Sequence, residues 1–157
     1  PTAFALSRQG LPVWDPSGVP DDAIERGAYV LRDAEGGEPE LILMATGSEV
    51  HQAHEALKLL VEDGVRVRLV SMPCLDRFAE QDQAYRDSVL PPSVRARVAV
   101  EAASPLGWHR WVGDDGDVVA MEGFGASAPA KALYEHFGFS GQAIADRARA
   151  VLERTKA

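Results

Sequence analysis

The side chains able to do chemistry in this chain of 157 residues fall into a few short stretches. Arg8, in "ALSRQGLP", follows directly on a strand-like run, where a loop begins at the strand's carboxyl end. A guanidinium there can clasp a phosphate through two parallel hydrogen bonds, which a lysine cannot do, although a solvated surface arginine is the plainer reading. Gly47, Ser48 and Glu49 open a helical pattern in "LILMATGSEV". A helix N-terminus offers free N–H groups and a dipole that favours an anion. The stretch matches neither G-x-G-x-x-G nor G-x-x-x-x-G-K-[ST], so it is neither a dinucleotide fingerprint nor a P-loop. Ser48 as the cap, with Glu49 supplying negative charge in the first turn, makes a structural turn the favoured reading. Glu101 stands at the carboxyl end of a buried strand, where open α/β sheets place ligands, but the sequence gives it no partner.

Other candidates resolve toward structural roles. Ser127 in "FGASAPAKAL" invites comparison with a nucleophile elbow, yet Pro129 takes the second glycine position of G-x-S-x-G and no strand runs directly into the serine. An N-cap at Ser127 with Pro129 in the first helical turn is the natural expectation. His51 and His54 are three apart and can share a helix face, but two ligands without a third are not a metal site, and "HQAHE" is not H-E-x-x-H. His54 falls on an apolar stripe, as a hydrogen-bonded core histidine does. "DDGD" at residues 114–117 lacks the spacing and distal Glu of a calcium loop and reads as a polar turn. Trp108 and Trp111 suit either a half-buried core or an interface anchor.

These residues need a scaffold, and the periodicity supplies one. A short strand is expected at residues 2–6, followed by a loop dense in Pro, Gly and Asp. Strand-like runs at residues 29–32 and 40–44 flank "DAEGGEP", whose Gly36-Gly37 predicts a tight reversal and an antiparallel hairpin. The unbroken apolar run at residues 41–45 predicts a strand covered on both faces. Val50, Ala53, Leu57, Leu60 and Val61 recur at helical spacing up to a stop at Gly64. "VRVRLV" alternates as a strand, "RFAEQDQAYRDSVLP" predicts one helix, "VRARVAVEA" a strand, and "PLGWHRWVG" a short helix. A last strand is expected at residues 117–121, then helices over 127–137 and 140–155 separated by Gly138. This order implies a three-layer α/β/α fold with a five-stranded sheet, mostly parallel with one antiparallel strand.

Composition narrows the partners. A net charge of −8 argues against a general nucleic-acid or anionic-membrane partner, since phosphate surfaces need a basic face. No apolar run approaches the roughly 20 residues of a membrane helix. Cys74 is the single cysteine, which excludes an intrachain disulfide and a cysteine zinc site and fits a reduced, cytoplasmic setting. A start at Pro1, without Met and inside a strand-like run, points to a piece of a longer chain.

The blocks "LSRQGLP", "GAYVL", "LILMATGSEV", "VRLVSMPCLDRF", "QDQAYRDSVLP", "RVAVEAASPLGW" and "GFGASAPAKALYEHFGF" resemble, in order over nearly the whole chain, the C-terminal end of the transketolase family. The serine-arginine-glutamine triplet and "FGxSAPAxxLYxxFGF" are the most specific. "SRQG" departs from the asparagine often found after the triplet, which leaves the arginine's role intact. The resemblance implies residues 1–12 as the end of a pyrimidine-binding domain, 13–26 as a linker and 27–157 as the C-terminal domain. It implies a cytoplasmic homodimer of the pentose phosphate pathway, with thiamine diphosphate and Mg2+ (or Ca2+) held by the preceding domains. Such an enzyme moves a two-carbon ketol unit from a ketose phosphate to an aldose phosphate. Catalytic, cofactor and metal residues are then expected outside this segment, which alone would be inactive and would support the dimer. The one substrate residue implied within it is Arg8, contacting the sugar's terminal phosphate. The alternative is a free-standing α/β ligand-binding or regulatory module using strand ends near Gly47, Pro73 and Glu101.

Overall fold

Leu41–Ala45 forms the middle strand of the sheet, β2, and every residue in it is buried, as its unbroken apolar character requires. The computed structural model describes residue 7, residues 9–15 and residues 17–156, so the strand expected at residues 2–6 lies outside the described residues. Around β2 the chain supplies α1 (Ala23–Arg26), β1 (Tyr29–Arg32), α2 (Glu49–Glu62), β3 (Val67–Ser71), α3 (Leu75–Ala79) and α4 (Gln83–Val89). It continues with β4 (Arg97–Glu101), α5 (His109–Val112), β5 (Asp117–Ala120), α6 (Ala130–His136) and α7 (Gly141–Lys156). The strand order is β1-β3-β2-β4-β5, with β1 antiparallel to β3 and the other pairs parallel. The expected fold class is therefore what forms.

Alternation along β2 builds the three layers. Leu41, Leu43 and Ala45 face a core completed by Ala53, Leu60, Ile144 and Val151 of α2 and α7. Ile42 and Met44 face the opposite way, against Phe78, Val89, Trp108 and Trp111. Helices α2 and α7 approach so closely that a Cβ on Gly141 would stand 2.7 Å from Glu55 Cβ. Glycine is the residue that permits this approach.

Several local expectations need correction. The predicted hairpin does not form: β1 pairs with β3, in register Tyr29 with Ser71 and Val30 with Val70. Both edges of β2 are taken by parallel neighbours, so residues 33–40 step across β3 instead of folding back. Arg68 of β3 pins that crossing by donating from Nε and Nη2 to the two Asp33 carboxylate oxygens at 2.7 and 2.9 Å. Its Nη1 reaches the Ser88 and Val89 carbonyls at the end of α4, so this arginine face of β3 is covered as well. The single helix expected over residues 77–91 is two, because Asp82 starts α4 by accepting the Tyr85 amide at 2.7 Å. Ser48 precedes α2 without a side-chain capping bond, its hydroxyl being committed elsewhere. Ser127 does not cap α6, which begins after Pro129. The proline ring disfavours helical backbone at the residue before it, which keeps residues 127–128 out of the helix.

The segment expected as a linker lies on the domain. Trp14 stands edge-on to His54 with ring centroids 4.5 Å apart, Trp14 and Val19 pack against the α2/α7 core, and Ala23 is buried.

Candidate functional site

From β2 the chain passes through α2 to β3 on one side, then returns to place β4 on the other side. The order of connection thus reverses between β2 and β4. In open α/β sheets, the crevice outside the carboxyl ends of two such strands is the usual ligand position. Here it is framed by Gly47 and Ser48 after β2, Glu101 at the end of β4, the loops following β4 and β5, and Tyr134 of α6. Gly47 adopts φ 56°, the left-handed backbone in the three-residue turn (Thr46 to Ser48) from strand to helix.

A hydrogen-bond hub occupies the start of α2. Glu49 is only 6% exposed. Its Oε1 accepts from Ser48 Oγ at 2.6 Å and from the Tyr134 hydroxyl at 2.9 Å, and these two hydroxyl oxygens lie 3.1 Å apart. The Tyr134 oxygen in turn accepts from Gln9 Nε2 at 3.2 Å, which ties the leader to α6 and to the β2–α2 turn. Burial raises the Tyr134 hydroxyl above its ordinary value; Ser48 opposes this shift and the Glu49 charge adds to it. Glu101 Oε2 accepts from the buried indole Nε1–H of Trp108 at 3.1 Å. Burial pushes the Glu101 carboxyl above its ordinary value, against the Trp108 hydrogen bond and with the Glu49 charge.

This geometry answers the phosphate question raised by Gly47-Ser48. The helix start carries its own carboxylate, Glu49, and a second carboxylate close enough to sense it, so the local field opposes an anion. Ser48 donates to a carboxylate and not to an imidazole, which leaves it unlike an activated nucleophile. Tyr134 separates two hollows. The larger, about 540 Å3, lies between the loops after β4 and β5, with Ala103, Met121, Leu133 and Phe139 in its walls. The smaller, about 420 Å3, runs along the leader past Gln9, Leu11, His51 and Lys131.

Arg8 lies outside the described residues; beside it, Ser7 is exposed and Gln9 is half-buried on Tyr134. Among the described residues no group of three or more His, Cys, Asp or Glu side chains is placed to hold a metal ion. His54 meets Trp14 edge-on, and burial, followed by the Lys58 charge, holds it below its ordinary value. His51 Nδ1 is buried and has no hydrogen-bond partner among the described residues. Trp108 and Trp111 are core residues, 1% and 7% exposed. Residues 114–116 form a polar turn before β5; Asp115 in it pairs with Arg95, and Asp117, the first residue of β5, with Arg147. Tyr134 was absent from the sequence-based candidates because its partners lie 85 and 125 residues away, and nothing local to it marks the contact.

The architecture is thus that of a doubly wound α/β domain whose strand-end crevice is closed by an internal polar hub. A family model described as Transketolase-like TK C-terminal domain matches residues 27–140. The chain is 47% identical over 157 residues to a transketolase of Mycobacterium tuberculosis, covering 98% of this chain and 22% of that protein. It is 48% identical over 145 residues to one of Staphylococcus aureus, covering 92% of this chain and 22% of that protein. A transketolase structure from Leishmania mexicana superposes with TM-score 0.78 at 39% identity, over 88% of this chain and 20% of that one. A Pichia stipitis transketolase in complex with fructose-6-phosphate superposes with TM-score 0.84 at 33% identity, over 96% and 21%. The chain belongs to the transketolase family, and residues 27–140 form the family's C-terminal domain. It spans about a fifth of the length of the curated relatives it matches.

Proposed function

We propose that this chain is the C-terminal segment of a transketolase, a homodimeric cytoplasmic enzyme that transfers a two-carbon ketol unit between sugar phosphates. The observation that carries the proposal is the 47% identity extending across 98% of the chain. In such an enzyme thiamine diphosphate supplies the electron sink for carbon–carbon bond cleavage, and the protein positions the reactants. Cofactor and metal are assigned to the preceding domains, and no chemical step is assigned to this segment. Its own contributions are Arg8 and support of the dimer. Arg8, just before the Gln9–Tyr134 anchor, is assigned to the terminal phosphate of the sugar.

A terminal phosphate is remote from the bond being made or broken, so its contact acts on binding more than on chemistry. Arg8→Ala in the full-length enzyme is expected to raise KM for sugar phosphates far more than it lowers kcat. A charge-assisted bidentate contact worth about 1.5–3 kcal/mol corresponds to roughly ten- to a hundredfold in kcat/KM. Arg8→Lys should restore part of this, since a point charge cannot reproduce the fork. Hydroxypyruvate, which has no phosphate, should be used nearly as well by the variants as by the parent enzyme. Equal losses for phosphorylated and unphosphorylated donors would make Arg8 a structural residue.

A further inference from the structure

At the end of the sheet where β4 begins, away from the strand-end crevice, a hollow of about 220 Å3 is lined by three arginines. They are Arg86 of α4, Arg97 at the start of β4 and Arg110 of α5. The chain as a whole carries a net charge of −8, so such a cluster runs against its average. Arg68, Arg95, Arg147 and Arg149 each hold a carboxylate. Among the described residues Arg86, Arg97 and Arg110 hold none. Arg97 is fixed by carbonyls instead, from Nε to Val94 and from Nη1 to Trp111, each at 2.9 Å. Its Nη2 reaches the Leu90 and Pro91 carbonyls at 3.1 and 2.9 Å. Arg86 donates to the Ala79 carbonyl and to Gln83 Oε1, both at 2.7 Å. Arg110 lies over the Trp111 ring, its Cζ 4.9 Å from the centroid. Carbonyls orient a guanidinium without cancelling its charge. The single carboxylate in the walls, Asp87, is bonded to Gln83 Nε2 at 2.6 Å, so three cations face one anion.

We propose that this hollow binds a small phosphate group, either inorganic phosphate or the phosphoryl end of a metabolite. A doubly charged oxyanion matches the surplus of two positive charges, and its oxygens accept from several guanidinium N–H groups at once. Those donors are at hand. A guanidinium carries five N–H groups, of which Arg97 uses four, Arg86 two and Arg110 none among the described residues. Burial pushes the Arg97 guanidinium below its ordinary value, with the Asp87 charge opposing, so an anion beside it relieves a cost already present in the fold. Size narrows the ligand further. The hollow is smaller than the roughly 300–1,000 Å3 of sites that enclose a drug-sized molecule, so it takes a phosphoryl group and not a whole nucleotide. Arg97 and Arg86, held by their carbonyls, form the preset floor, and exposed Arg110 on Trp111 is the movable side. The proposal is independent of the transketolase reading, since no step of ketol transfer is assigned to this end of the sheet.

Nuclear magnetic resonance of the 157-residue chain, which contains the whole sheet and both of its cores, tests this by titration with inorganic phosphate. Ionic strength is held constant with chloride, because screening alone shifts exposed charges. Saturable shifts of the Arg86, Arg97 and Arg110 Nε–H signals are expected, with a Kd of roughly 1 mM. Arg110→Gln should weaken binding about fivefold or more. It should move Tm by no more than about 2 °C, because the side chain is exposed. Arg86→Gln gives a second reading of the same loss, and Arg97 is left in place because it staples α4 and α5 to β4. A parallel titration with glycerol 3-phosphate separates the two sources. Tighter binding than inorganic phosphate supports a metabolite's phosphoryl end, and weaker binding supports free phosphate. Shifts that never saturate, that chloride reproduces, or that survive both substitutions unchanged would overturn the proposal.

Discussion

Removing the Tyr134 hydroxyl while keeping its ring probes the polar hub directly. In Tyr134→Phe, Glu49 loses the donor at 2.9 Å and retains Ser48 at 2.6 Å, while the Gln9 amide loses its acceptor at 3.2 Å. No cavity opens, so the cost is polar. A hydrogen bond to a charged acceptor contributes about 1.5–3 kcal/mol, and the half-exposed position of Tyr134 and Gln9 reduces the expectation to about 1–2 kcal/mol. For a domain of this size that lowers Tm by roughly 2–8 °C. Calorimetric melting of the parent, Tyr134→Phe, Ser48→Ala and the double variant gives a complete cycle. Both hydroxyls donate to one oxygen of a carboxylate that is 6% exposed, so losing both strands a buried charge. The double variant is therefore expected to cost more than the sum, by at least about 0.5 kcal/mol. An unchanged Tm in Tyr134→Phe, with additive single effects, would refute the reasoning by showing that water satisfies Glu49 without either hydroxyl.

Two further substitutions test the electrostatics of the frame. Arg68→Met should destabilise the chain by about 3 kcal/mol, chiefly through the Ser88 and Val89 carbonyls left without a donor, because Asp33 is exposed enough to be rehydrated. Partial burial pushes the Asp33 carboxyl up, but its bonds to Arg68 and the Ala34 amide outweigh this and hold it below its ordinary value. The pair's contribution is thus full above about pH 4 and is lost as pH falls through the lowered value, so Arg68→Met should flatten the acid side of a pH–stability profile. Glu101 has the opposite sign. Its raised value means that the folded chain binds the proton more tightly than the unfolded one, so its contribution falls as pH rises above about 4 toward the folded value. Glu101→Gln keeps an acceptor for Trp108 and is expected to raise Tm at pH 7 while leaving it unchanged below about pH 4; a lower Tm at pH 7 would contradict this.

The three-layer fold was legible because its signals are local and dense. The apolar run Leu41–Ala45 could only be a strand covered on both faces, and the α2 stripe could only face a sheet. Strand pairing was less legible. Gly36 and Gly37 do have the positive φ expected of them, 79° and 145°, yet the hairpin they suggested is overridden by competition for the edges of β2. The decisive contact there, Arg68 with Asp33, spans 35 residues, and an alternating strand pattern cannot announce it. The crevice at Gly47 and Glu101 followed from topology, but the hub filling it depends on Tyr134, whose helix carries no chemical motif. Ser48 was read as a cap from its type and position; a neighbouring carboxylate took its hydroxyl instead. Arg8 is the converse case: its type and place made a phosphate contact chemically open, and only the family triplet assigned it one.

Ketol transfer from a ketose phosphate to an aldose phosphate, measured on the full-length protein with thiamine diphosphate and Mg2+, bears most directly on this account. Turnover is expected from the full-length protein, abolished when the cofactor is withheld, and the 157-residue chain under the same conditions should show none. A full-length protein without transfer activity, or an isolated chain that performs the reaction, would contradict it.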